Sequence, residues 1–66
     1  MNIVVNGKDR EVGPVAHLAD LLTELGVDPS RVVIECDGVI VCREHLAAVP
    51  VNPGTRVEII HFVGGG

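Results

Sequence analysis

Three sets of residues in this sequence are of types that could do chemistry: the run Val63-Gly64-Gly65-Gly66, the cysteines Cys36 and Cys42, and the histidines His17, His45 and His61. The glycines follow an apolar, strand-like run, Arg56-Val-Glu-Ile-Ile-His-Phe62. Glycine has no Cβ, and three in a row surrender the most conformational entropy when ordered, so packing gives no reason to place them there. Frayed terminal residues are one explanation. The other, which has chemical content, is that residues 63–66 form a flexible tail carrying the Gly66 carboxylate as the working group. Such a tether is thin enough to thread into another protein's active site. Four extended residues reach roughly 13 Å at ~3.3 Å each, about the depth of an enzyme cleft. A carboxylate resists nucleophilic attack because of its own charge, so it needs activation. If a partner activates it, the carrier needs reach and a docking surface and no acid or base of its own.

The cysteines and histidines support no competing site. Cys36, Cys42, His17, His45 and His61 follow no recognisable zinc spacing, so no metal is expected. Asp37-Gly38 reads as a two-residue hairpin turn that sets Cys36 opposite Val39 and Val33 opposite Cys42. The thiols are then not cross-strand partners, and a disulfide would require that register to break. Reduced, structural cysteines are expected. No nucleophile stands beside a base, so no catalytic residue is assigned and the chain reads as a non-enzyme.

Composition narrows the partners. Sixty-six residues make one domain, close to the lower limit for folding without staples. Hydrophobic residues are 47% of the chain and Phe62 is the only aromatic, so the core must be built from Val, Ile and Leu. A net charge of −4 and the absence of Trp and Tyr argue against nucleic acid, which would need phosphate contacts and stacking platforms. The apolar runs are short and broken by charges, and residues 1–12 lack a signal-peptide layout. These features predict a cytoplasmic protein with no membrane contact, monomeric alone.

The elements that must position the tail can be read in chain order. Met1–Val5 is β-rich, and Asn6-Gly7 is a strong type I′ hairpin signal that folds it back on a strand from Lys8 to Val12. Gly13-Pro14 breaks that strand. In His17–Leu25, Leu18, Leu21, Leu22 and Leu25 recur at i, i+3, i+4 and i+7, which predicts one amphipathic helix of about two turns. His17 falls near its N-cap, Asp20 in its first turn and Gly26 at its C′ position. Asp28-Pro29-Ser30 connects to a second hairpin, Arg31–Cys36 and Val39–Cys42. There Val32, Ile34, Cys36, Val39 and Val41 are expected inward, with Val33, Glu35, Ile40 and Cys42 outward. Arg43–Ala48 is polar and reads as a short turn or solvated crossover. Pro50 and Asn52-Pro53-Gly54 then launch the last strand.

The order β, β, α, β, β, β packs most economically as an α+β fold, a mixed sheet of about five strands with one helix across a single face. This is the β-grasp, or ubiquitin-like, arrangement, with the last strand beside the first. The helix leucines should cover Ile3, Val5, Ile34, Val41, Val57 and Ile59. Alternation sends Val4, Val33, Ile40, Ile60 and Phe62 to the uncovered face, where they would form a partner-docking patch.

A hairpin at Ile3-Val4-Val5-Asn6-Gly7, a helix containing Leu18-Ala-Asp-Leu-Leu and the closing stretch Val57-Glu-Ile-Ile-His-Phe-Val-Gly-Gly-Gly66 together resemble the thiamin-pathway sulfur-carrier family, which is ThiS-like. The resemblance covers the whole chain, and its specific part is the closing stretch. Val41-Cys42-Arg43-Glu44 departs from a family segment that commonly has proline where Cys42 stands. The resemblance implies a carrier that binds no cofactor itself. An E1-like adenylating enzyme would use ATP to adenylate the Gly66 carboxylate, and a sulfur donor such as a cysteine desulfurase would supply the persulfide sulfur that makes a thiocarboxylate. Thiazole synthase would then receive that sulfur, with Val63, Gly64 and Gly65 threading the partner's active site. Sister carriers serving molybdopterin, cysteine or tRNA thiolation, and a ubiquitin-like interaction module without chemistry, are the alternatives.

Overall fold

The computed structural model describes residues 1–62. It contains β1 (Asn2–Val5), β2 (Lys8–Glu11), α1 (Leu18–Leu25), β3 (Val32–Cys36), β4 (Val39–Val41) and β5 (Arg56–His61), with 3-10 helices at Pro29–Arg31 and Arg43–Ala48. The five strands form one sheet in the order β2-β1-β5-β3-β4. β5 is therefore central, parallel to β1 and antiparallel to β3. This is the expected β-grasp arrangement.

Both hairpins turn where local chemistry demands. Asn6 and Gly7 have φ of 50° and 79°, and Asp37 and Gly38 have 48° and 87°, the paired positive values that a type I′ turn requires. Cys36 accordingly lies opposite Val39, and the register continues through Glu35↔Ile40 and Ile34↔Val41. In the Asn52–Thr55 turn the Thr55 N–H donates to the Asn52 carbonyl at 3.0 Å, with Pro53 and left-handed Gly54 between them, the signature of a type II turn.

Helix α1 is closed at both ends by its own sequence. His17 Nδ1 accepts from the Asp20 N–H at 3.4 Å. Gly26, at φ 71°, donates to the Thr23 carbonyl, and the Val27 N–H donates to that of Leu22 at 2.9 Å, a Schellman motif. Leu18, Leu21 and Leu22 are buried against Ile3, Ile34, Val57 and Ile59, while Leu25, Val5 and Val41 are partly buried at the rim.

Two expectations are corrected. Val39 is 65% exposed rather than inward, although it shares a face with buried Cys36. It belongs to the edge strand β4, which has no neighbour beyond it among the described residues. Arg43–Ala48 is not a solvated crossover, because its 3-10 turn packs on α1 and buries Leu46 in the core.

Asn6 contributes beyond its turn. β1 leaves β5 at this residue, and the side-chain amide continues the ladder: Oδ1 accepts from the Ile59 N–H at 2.7 Å and Nδ2 donates to the Ile59 carbonyl at 3.4 Å. Asn6→Gly keeps a residue suited to positive φ but strips both contacts from β5. It is expected to cost about 1–3 kcal/mol, because a partly buried N–H is left without its acceptor. Chemical denaturation checks this, and a midpoint equal to wild type would show that the amide contacts do not hold β5.

Candidate functional site

Helix α1 and the Arg43–Ala48 segment cover one face of the sheet, and the other face is where the site residues lie. Three of the expected patch residues are well exposed there: Ile40 at 66%, Ile60 at 52% and Phe62 at 63%. Val33 and Val4 are half-buried. The β3–β5 register places Val33 directly opposite Ile60, and Phe62 is the next residue of the same parity along the chain. Its N–H donates to the Arg31 carbonyl at 3.1 Å, which extends the β3–β5 ladder through residue 62. Beside Phe62 is a shallow hollow of about 250 Å³, also lined by Pro29, Ser30, Val32 and Arg43.

Val33, Ile60 and Phe62 thus form one apolar strip at the end of β5. Ile40 joins it less directly, since it pairs with Glu35 and reaches Val33 only diagonally. Val4 does not join it. It pairs with Asp9 on one side and Arg56 on the other, which places it four residues, roughly 13 Å at ~3.3 Å each, from Ile60. Between them Glu58 stands directly opposite Glu35. Like charges in such a pair oppose folding, so these carboxylates divide the open face into an apolar strip near residue 62 and a polar field near Val4. Sequence alternation places Glu35 and Glu58 on this face, but their pairing requires the β3–β5 register, which no local signal supplies.

The remaining reactive groups lie elsewhere. Both cysteines are free thiols, as expected; Cys36 is buried, and Cys42 is exposed, in keeping with its outward place in the alternation. Burial pushes the Cys36 thiol up from its usual range, with the neighbouring Asp37 charge adding to the effect, so this thiol stays protonated and unreactive. Among the described residues, no three of His, Cys, Asp and Glu are grouped as a metal ion would need. Nor is any helix among them long and apolar enough to cross a membrane. Val63, Gly64, Gly65 and Gly66 lie outside the described residues.

Comparison with known proteins gives a consistent result. The model of the ThiS family matches residues 3–66. A crystal structure of the thiamine biosynthesis protein (ThiS) from Geobacter metallireducens superposes with a TM-score of 0.85 at 36% identity, covering all of both chains. A solution structure of a thiamine biosynthesis protein from the same organism gives 0.82 at 36% identity, over all of this chain and 88% of that one. Two proteins called thiazole synthase also match over all 66 residues, at 41% identity in Paramagnetospirillum magneticum and 33% in Magnetococcus marinus. The chain spans only 20% of the length of each of those two.

Proposed function

The chain belongs to the ThiS family, and from that premise we propose that it is a sulfur carrier for thiazole formation in thiamin biosynthesis. The observation that carries this reading is the full-length match, in family and in fold, combined with a last strand whose sequence runs on into Gly64-Gly65-Gly66. The carrier is not itself an enzyme. An E1-like partner takes the Gly66 carboxylate and ATP to an acyl adenylate with release of pyrophosphate. A persulfide sulfur originating from a donor such as a cysteine desulfurase then displaces AMP at the acyl carbon to give an acyl disulfide, which a thiol cleaves reductively to the thiocarboxylate. Free sulfide displaces AMP to give the thiocarboxylate directly. Thiazole synthase takes up that sulfur. Support for direct contact with it comes from the two relatives of that name, in which a stretch similar to this chain makes up a fifth of one polypeptide.

The division of labour follows from physical chemistry. Adenylation replaces an anionic oxygen, which repels nucleophiles, with a good leaving group, and everything that does so can reside in the partner. The carrier supplies reach through residues 63–66 and a surface that brings the partner to it. The apolar strip of Val33, Ile60 and Phe62 is that surface, with Ile40 at its rim. The test is a complete cycle followed by intact mass. Incubation with an E1-like enzyme, ATP and sulfide should replace one oxygen by sulfur, and thiazole synthase with its substrates should reverse the gain. A carrier that gains no sulfur under these conditions contradicts the proposal.

Phe62 offers a separate check on the docking surface. Because it is mostly exposed, Phe62→Ala should leave the unfolding midpoint close to wild type. Loss of an aromatic anchor should weaken engagement by about 1–3 kcal/mol, seen as a raised apparent KM for the carrier in adenylation. An unchanged KM would remove Phe62 from the docking surface.

A further inference from the structure

The central strand β5 is covered unequally along its two edges. On the β3 side, pairing runs from Cys36↔Val57 to Val32↔His61, and the Phe62 N–H continues it to Arg31. On the β1 side it stops at Val5↔Val57, and the Asn6 amide occupies the next position, at Ile59. Opposed residues in an antiparallel ladder alternate between hydrogen-bonded and non-bonded pairs. Phe62 bonds to Arg31, the residue opposite it, so Val32↔His61 is a non-bonded pair. The N–H and C=O of His61 therefore point to the β1 side, as those of Ile59 do. Among the described residues, neither has a backbone partner there.

We propose that this edge of β5, beyond the Asn6 amide, accepts an extended backbone segment of the activating enzyme, which continues the row that β1 leaves at Asn6. The inference rests on the carrier reading and specifies how the partner engages. Three observations favour a strand over any other occupant. The position at Ile59 is already filled by an amide imitating a strand, so the edge is built to take peptide-like donors and acceptors. The free groups of His61 are one donor and one acceptor on one residue, which an added strand satisfies together. Exposed Ile60 and Phe62 flank His61 and offer side-chain contacts to whatever backbone docks there.

Hydrogen exchange of the wild-type chain tests this. In the free protein the His61 amide should exchange rapidly and that of Ile59 slowly. With the E1-like enzyme and ATP, His61 exchange should slow by about tenfold or more, as expected for a newly bonded amide. Two variants separate the N–H from the side chain. His61→Pro removes the N–H without removing a ladder bond to β3, and should lower adenylation at subsaturating carrier by about tenfold relative to His61→Ala, which keeps the N–H. A complex that forms and transfers sulfur while His61 exchanges as in the free protein overturns the strand addition and leaves the carrier reading intact. Equal activity of the two variants, with folding preserved, overturns it as well. Protection of His61 in concentrated free carrier would assign the edge to a second copy of this chain instead. No complex and no sulfur gain with wild type would overturn both readings together.

Discussion

Leu22→Ala is expected to leave the protein largely or partly unfolded at room temperature. Leu22 is 1% exposed and lies in the middle of the only α-helix among the described residues, between Leu18 and Leu25 on the stripe that faces Ile3, Ile34, Val57 and Ile59. Truncation removes three carbons from a site that a 66-residue domain cannot easily collapse around, at a cost of about 2–5 kcal/mol. The total stability of so small a domain is about 5 kcal/mol. The Leu22 carbonyl also receives the Val27 N–H in the helix C-cap, and alanine keeps that bond, so the loss reports side-chain packing alone. Urea denaturation followed by far-ultraviolet circular dichroism measures it. A midpoint near wild type would mean that α1 does not cover the core.

Much of this fold is legible in the sequence, and the parts that are share a local cause. Asn6-Gly7 and Asp37-Gly38 specify their turns through a backbone requirement that few residues satisfy, and each turn then sets the register of its hairpin. The leucine spacing and Gly26 define α1 in the same way. What is not legible depends on contacts between distant segments. Leu46 is a single leucine between Arg43-Glu44-His45 and two alanines, with no periodic partner to signal its burial, and it is inside only because the 3-10 turn at Arg43–Ala48 packs on α1. Val39 alternates with the core residues correctly but lies on an edge strand, and alternation carries no information about what covers a face.

The site divides along the same line. Period-two alternation places Ile60 and Phe62 on the open face, and both are exposed there. Val4 is on that face too, yet strand order sets it beside Asp9 and Arg56, away from the strip. The second role of Asn6 has no sequence signal either, because Asn-Gly already explains itself as a turn. Only the parallel placement of β5 next to β1 brings the Ile59 backbone within reach of that amide.

The largest functional effect is expected from the glycines. Deleting Gly66, or adding one residue after it, should abolish thiocarboxylate formation with the unfolding midpoint unchanged. Either change moves the carboxylate by one residue, about 3.3 Å, relative to the docked domain. In-line attack requires reacting atoms held roughly 3–3.5 Å apart, so the misplaced group falls outside the activating site. Gly65→Val should block transfer for a different reason: the β-branched side chain widens the tether and restricts its backbone. A deletion variant that still gains sulfur would show that the position of the carboxylate is not what the partner reads.

The most direct test of the carrier reading is to locate the sulfur. Wild-type protein loaded with the E1-like enzyme, ATP and sulfide should be fragmented in the mass spectrometer, with the Gly66 deletion treated in parallel. The added sulfur should lie in the fragment that ends at Gly66, survive treatment with a thiol reductant, and be absent from the deletion variant. Absence of added sulfur from that fragment, or an equal gain of sulfur in the deletion variant, would contradict the account.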